Sequence, residues 1–334
     1  MNLSSKSKSL RIAVVGSGAI GSYYGAKLTY GGSDVHFLMR GDLNEVRRVG
    51  LYVRGKGENF RLAKVNCYNS VKEIGPCDLV LIAVKATSNG KLVDLVPPLM
   101  HEHTMLLTLQ NGLGNEEFLA EHFGGERVLG GLCFICLSRI SRTEIERYDY
   151  GHIVLGEYGR ASQPRTHEVA AEFKHAGVTC SVTEDLLLER WRKLVWNIPF
   201  NGLSILGGGI DTSAILADVA LRRATLALMD EVIVAANKCG YPLPSAAALE
   251  QIKRTETMGA YKPSTLLDWG AGRPLEIEAI WGEPLRRATA VGAKTPRLEL
   301  LYALLKERDQ RNRLASIPVD LSRKSTAAEN VTRG

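Results

Sequence analysis

The rhythm of apolar and polar positions changes a little beyond the middle of the chain. Short runs rich in Val, Ile and Leu stand at residues 11–15, 35–39, 79–84 and 105–109, with a fifth at 128–133. These runs are nearly continuous rather than alternating, and stretches of helical length separate them. Strands buried on both faces have this character, so the pattern predicts a parallel sheet covered by helices. After about residue 185 the short runs give way to 3.6-residue periods at 186–198, 219–238, 275–291 and 297–313, each predicting a helix. Gly240 and Gly292 stand where C-caps are expected, with Pro242, Pro244 and Pro296 soon after. The reading is an α/β chain: an N-terminal Rossmann doubly wound sheet at 1–184, an all-helical C-terminal domain at 185–316, and a polar, aperiodic tail at 317–334.

Within that frame the sharpest motif is Gly16-Ser17-Gly18-Ala19-Ile20-Gly21, a G-x-G-x-x-G that ends one predicted strand and opens one predicted helix. The first glycine permits the tight turn, the second lets backbone approach a pyrophosphate, and the third lets helix pack on strand. The helix N-terminus attracts the anion. Ligands of doubly wound sheets bind beyond the carboxyl ends of the strands, so the residue ending the second strand should meet the adenosine ribose. That residue is Arg40; Asp34, the nearest acid, falls at the wrong end of its strand. A guanidinium pairs with phosphate in a bidentate fork, which favours NADPH over NADH.

Reduction of a ketone places negative charge on oxygen, so a site needs a cation or acid and a few fixed donors. Lys85 and Asn111 each follow a predicted strand and so point toward the cofactor cleft, although either alone reads as a solvated loop residue. Lys193, Asn197 and Asn201 are spaced by four and share one helix face. Polar groups beside Leu194, Val195 and Trp196 suggest that this face lines a polar cleft. Pro199, inside the same span, should kink the helix.

Taken with their order and spacing, these segments resemble the ketopantoate (2-dehydropantoate) reductase family. The match is carried by Gly16 to Gly21, Val84-Lys85-Ala86, Gln110-Asn111-Gly112, Trp191-Arg192-Lys193 with Asn197 and Asn201, and Pro263-Ser264 followed by Glu276, from about residue 12 to about 305. The resemblance implies reduction of 2-dehydropantoate to pantoate by NADPH, a step in pantothenate biosynthesis. It implies that Arg40 and Lys85 contact the phosphates or ribose of NADPH, and that Asn111 touches cofactor and substrate near the nicotinamide. Lys193 would be the general acid, Asn197, Asn201 and Ser264 would hold the substrate hydroxyl and carboxylate, and Glu276 would hydrogen-bond the reacting centre. Desolvation in a closing cleft would lower the Lys193 pKa while a carboxylate such as Glu276 would raise it. On its own, Glu276 reads as a surface acid in the first turn of a helix.

The chain departs from the family pattern where Gly207, Gly208 and Gly209 precede Asp211, at a place where the family has a substrate-facing asparagine. An acid there would repel an anionic substrate or select a different one. Three rival readings follow: a reductase of another small 2-oxo acid, a 3-hydroxy acid dehydrogenase of the 6-phosphogluconate type, and a non-catalytic dinucleotide sensor.

Composition narrows the classes. Apolar residues at 45% and charged residues at 23% are ordinary for a globular protein, and no apolar run approaches the roughly 18 residues of a membrane span. The formal charge of +6 is interleaved with acids, as in Glu45, Arg47 and Arg48, which argues against a nucleic-acid partner and suits a small anionic 2-oxo acid. The first ten residues lack the apolar segment of a secretory signal, and six irregularly spaced cysteines suggest a reducing cytoplasm. Cys133 and Cys136 have C-x-x-C spacing but read as a buried strand, so no metal is expected. The oligomeric state is left open, a homodimer among the alternatives.

Overall fold

A computed structural model describes residues 10–315; the expected tail at 317–334 lies outside them. The first strand, β1 (Arg11–Val15), runs into α1 (Ala19–Tyr30) and β2 (Asp34–Leu38), followed by α2 (Leu43–Val49). A hairpin, β3 (Leu51–Gly55) and β4 (Glu58–Leu62), then leads to β5 (Asn66–Tyr68) and α3 (Val71–Ile74). Next come β6 (Leu79–Ile82), α4 (Leu92–Leu95), β7 (Met105–Thr108) and α5 (Asn115–Phe123). The long pair β8 (Val128–Arg139) and β9 (Glu144–Glu157), α6 (Pro164–His175) and β10 (Thr179–Val182) complete the sheet-bearing half.

The ten strands of the described residues belong to one sheet, ordered β4-β3-β9-β8-β7-β6-β1-β2-β5, with β10 also paired to β9. From β5 to β8 every pairing is parallel, and this is the expected doubly wound core, with its reversal of winding between β1 and β6. Beyond β8 the sheet becomes mixed: β9 is antiparallel to β8, β3 parallel to β9, and β4 antiparallel to β3. Helix α1 packs on β1 and β2 and also on β3, β4 and β9, which lie far along the sheet order. The sheet therefore curls around α1, and the Tyr23 hydroxyl and Lys27 ammonium on that helix both reach Glu58 at the start of β4.

The rest of the described residues are helical: α7 (Leu186–Leu206), α8 (Thr212–Ala217), α9 (Val219–Lys238), α10 (Ala247–Glu256), α11 (Ser264–Gly270), α12 (Glu283–Ala290) and α13 (Pro296–Ala315). A π-helical turn, Glu278–Gly282, leads into α12. Two expected boundaries need correction. Helix α7 continues past residue 198 and through Pro199, because Trp191, Leu194, Val195, Ile198, Phe200 and Ile205 are all buried along it and outweigh one lost backbone donor. The segment at 275–291 becomes helical only from Ile277, so Glu276 precedes the helix rather than sitting in its first turn.

The two halves meet closely at Gly112, which follows β7. Its φ of +85° is left-handed, and a side chain there would collide with the carbonyl of Ala279 in the π turn. Beside it, the Leu113 amide donates to that same carbonyl at 2.9 Å.

Candidate active site

The glycine motif does two kinds of work. Gly16 has φ +105° and lies against the backbone of Ala83 and Val84, while any side chain at Gly21 would strike the Gly16 carbonyl. Both positions are closed by the protein itself. Gly18 is different: its φ is −75° and nothing in the chain lies within 4 Å of where its Cβ would be. The open space stands directly over the N-cap of α1, where unpaired backbone donors face outward. A glycine that the protein does not need, above a helix N-terminus, fits the close approach of a dinucleotide pyrophosphate.

Asp34 opens β2, at the end away from the tip, and pairs with Arg11 at 3.1 Å. Arg40 follows the tip and is exposed. The Ser17 hydroxyl donates to the Leu38 carbonyl at 2.8 Å and ties the glycine turn to that tip.

Lys193 sits on the second turn of α7 and crosses to the carboxyl edge of the sheet. Its Nζ donates to the Asn111 side-chain oxygen at 2.9 Å and to the Cys133 carbonyl at 2.8 Å, and lies 5.3 Å from the centre of the Phe134 ring. The aromatic face and the two oxygens favour a cation. Burial favours the neutral amine and wins, bringing the pKa down to about 8; the Cys133 thiol and Glu276 oppose it and Arg190 assists. The expected opposition between desolvation and Glu276 is therefore present, with desolvation the larger effect.

Three residues before Lys193 stands Arg190, fully buried, paired with the equally buried Glu116 of α5. Its Nη1 donates to the Gln110 carbonyl at 2.6 Å. The Gln110 amide in turn donates to the Val84 carbonyl at 3.0 Å and to Asn89 at 2.7 Å, and Asn115 donates to the Asn111 carbonyl at 2.9 Å. Hydrogen bonds thus hold the backbone on either side of the Lys193–Asn111 contact. Arg190 and Glu116 were absent from the sequence reading; their only signal is a charge of each sign inside otherwise apolar faces.

Glu276 is buried, accepting from the Ala86 amide at 2.9 Å and from Lys85 Nζ at 3.3 Å. This is not the solvated helix-start acid that the residue alone suggested. Lys85 also donates to Asp268 of α11 at 2.6 Å, and Arg273 donates to the other oxygen of Asp268 at 2.8 Å. Burial would lower the Lys85 pKa, but Glu276 and Asp268 together raise it. Asp268 escaped the sequence reading because nothing local separates it from a surface acid.

The asparagines divide in role. Asn201 is buried with its oxygen accepting from the Thr265 amide at 3.3 Å and its amide donating to the Asn197 carbonyl at 2.9 Å, so it joins α7 to the start of α11. The Asn197 carboxamide and the Ser264 hydroxyl carry no hydrogen bond within the described residues and are available to a ligand. Asp211 caps α8, accepting from the Ala214 amide at 2.9 Å and the Ser213 hydroxyl at 2.6 Å, which hold its carboxyl below the usual range. The carboxylate is thereby engaged in starting a helix.

Among the described residues no helix is long and apolar enough to cross a membrane. Comparison with known proteins gives a consistent result. The family model described as Ketopantoate reductase PanE/ApbA matches residues 12–160, and its C-terminal counterpart matches residues 185–309. The chain belongs to the ketopantoate reductase family. A 2-dehydropantoate 2-reductase from Nostoc sp. is 41% identical over 315 residues, covering 93% of this chain and 98% of the relative. The crystal structure of 2-dehydropantoate 2-reductase from Geobacter metallireducens superposes with a TM-score of 0.87 at 45% identity, covering 89% of this chain and 99% of that one. A D-mandelate dehydrogenase solved with NADH and anilino(oxo)acetate shares the fold, at a TM-score of 0.82 and 21% identity over 90% of this chain and 99% of that one. Ketopantoate reductases are oxidoreductases acting on CH–OH groups, and the glycine turn and strand-edge cleft of this member suit a dinucleotide cofactor.

Proposed function

We propose that this chain reduces 2-dehydropantoate to pantoate with NADPH, a step of pantothenate biosynthesis in the cytoplasm. The observation that carries the reading is Lys193, a buried ammonium held between Asn111 and Cys133 at the carboxyl edge of the sheet, with a pKa of about 8. A group titrating there is mostly protonated near neutral pH yet gives up its proton readily, as a general acid must. Bound NADPH would supply the hydride. Lys193 would polarise the ketone and hand its proton to the oxygen as charge develops.

The unengaged Asn197 carboxamide and Ser264 hydroxyl would take the substrate hydroxyl and carboxylate. Asn201, engaged inside the protein, would act by positioning α11 and with it Ser264. Asn111 would keep Lys193 aimed and offer its remaining amide to cofactor or substrate. Glu276 and Lys85 would frame the ribose and nicotinamide side of the cleft, and Arg40 would read the 2′-phosphate. This division of labour would assign the cofactor to a unit at 1–184 and the substrate to a unit at 185–316.

The test is consumption of reduced nicotinamide by purified protein supplied with 2-dehydropantoate, beside other small 2-oxo acids and with NADH in place of NADPH. Fast turnover of 2-dehydropantoate with NADPH is expected. Turnover confined to other oxo acids would overturn the substrate, and none with any of them would overturn catalysis.

A further inference from the structure

The β8–β9 hairpin is far longer than its place in a parallel sheet requires, and its tip lies over the glycine motif. Arg139, the last residue of β8, donates through Nη1 to the Ser17 carbonyl inside that motif and through Nη2 to the Arg142 carbonyl. The same guanidinium pairs with Asp42 at 2.9 Å, and Arg142 comes within 3.8 Å of that carboxylate. Because Ser17 is itself bonded to Leu38, Arg139 lies across the crevice between the tips of β1 and β2. That crevice is where a doubly wound sheet receives the adenosine ribose.

Two further observations point to a ligand. The Arg139 Nε is buried and has no hydrogen-bond partner. Charge is also unbalanced: Arg139 and Arg142 share the single acid Asp42, while Arg40, two residues before it in the chain, is exposed and makes no ion pair among the described residues. Asp42 occupies the N-cap position of α2, yet its side chain caps nothing and turns to Arg139 instead. An aspartate at an N-cap ordinarily accepts from the first-turn amides, so a second set of donors stands ready should Arg139 leave it.

We propose that Arg139 is a second reader of the cofactor's 2′-phosphate, and that Asp42 is the internal counter-ion which the phosphate displaces. The proposal rests on the NADPH reading. A dianionic phosphate entering between Arg40 and Arg139 satisfies the buried Nε and balances the excess charge, while Asp42 swings back to cap α2. A bare 2′-hydroxyl does none of this, so NADH leaves the Arg139–Asp42 pair intact.

The experiment is titration of NADPH and NADH onto the full-length chain, wild type and variants, followed by nicotinamide fluorescence. Arg139→Met is expected to weaken NADPH by roughly ten- to hundredfold, as loss of a charge-assisted contact does, with NADH changed by less than about threefold. Asp42→Asn is expected to tighten NADPH several-fold and leave NADH alone, and this gain cannot arise from a damaged fold. If both cofactors weaken together in Arg139→Met and Asp42→Asn leaves their ratio unchanged, the proposal is overturned. A wild type that binds NADPH no better than NADH would overturn the NADPH reading itself, whereas a clear preference untouched by either variant overturns only the role of Arg139.

Discussion

Lys193 and Asn111 lie 82 residues apart in sequence and meet at 2.9 Å, the ammonium of a helix donating to a carboxamide at the end of a strand. The contact joins the sheet-bearing half to the helical half at the place where hydride and proton would both reach the ketone. Either residue alone is unremarkable in sequence. Their meeting depends on the whole path of the chain between them.

If Lys193 is the general acid, Lys193→Met should lower kcat/KM by about two to four orders of magnitude. Reduction in the wild type should fall as pH rises through the pKa of about 8, because the ammonium is the working form. A pH profile of kcat/KM reads this directly. A basic limb unaltered in position and a variant of ordinary activity would remove Lys193 from the chemistry.

The same group makes a separate prediction for stability. Its folded pKa, about 8, lies below its ordinary value of 10.5, so between these values the unfolded chain holds more protons than the folded one. Stability from this group therefore rises with pH across that window and is least below it. Urea denaturation from pH 7 to 10 should show a positive slope in the wild type that Lys193→Met lacks.

Gly18 and Gly16 should respond differently to substitution. Gly18→Ala meets no protein atom and keeps an allowed φ, so its Tm should stay within a few degrees while NADPH affinity drops steeply. Gly16→Ala is strained at φ +105° and collides with Val84, so it should destabilise the fold by more than about 2 kcal/mol. Calorimetry with and without NADPH separates the two.

The Glu116–Arg190 pair should show the asymmetry of buried charges. Arg190→Met or Glu116→Gln alone leaves its partner buried, at a cost of about 3–5 kcal/mol. The double variant should recover a large part of that loss, giving a coupling energy measurable by a denaturation cycle. Strict additivity would mean that the pair is not a unit.

Asp211→Asn tests whether the acid has a part in specificity. Asparagine caps a helix almost as well, so both stability and the ranking of 2-oxo acids should stay put; Asp211→Ala should cost about 1 kcal/mol with the ranking again unchanged. A change of preferred substrate in either variant would return Asp211 to the site.

Features governed by local pattern could be read directly from the sequence. The turn at Gly16, the start of α1 and the whole of α9 follow from residues close together, and Lys193, Asn197 and Asn201 followed from spacing on one helix. Strand β3 has a local signal too, since Leu51 and Val53 are buried and Tyr52 and Arg54 exposed in strict alternation. The pairings of β9 with β3 and β10 could not be read, because register between distant strands is set by their packing together. The second anchor of Lys193 was equally hidden: it is the Cys133 carbonyl, and a backbone oxygen has no letter in a sequence. Asp268, Glu116 and Arg139 look like surface charges until the fold gives each a partner.

The contact of Gly112 with Ala279 bears on how freely such proteins can be recombined. Asn111 immediately precedes that glycine, and the Leu113 amide is bonded to the same Ala279 carbonyl, so the π turn of the helical half fixes where the strand end sits. A chimera that joins the sheet half of one ketopantoate reductase to the helical half of another must therefore inherit the glycine and the facing carbonyl as a matched set. Exchange of either half across a mismatched seam would shift Asn111 and with it the contact that holds Lys193.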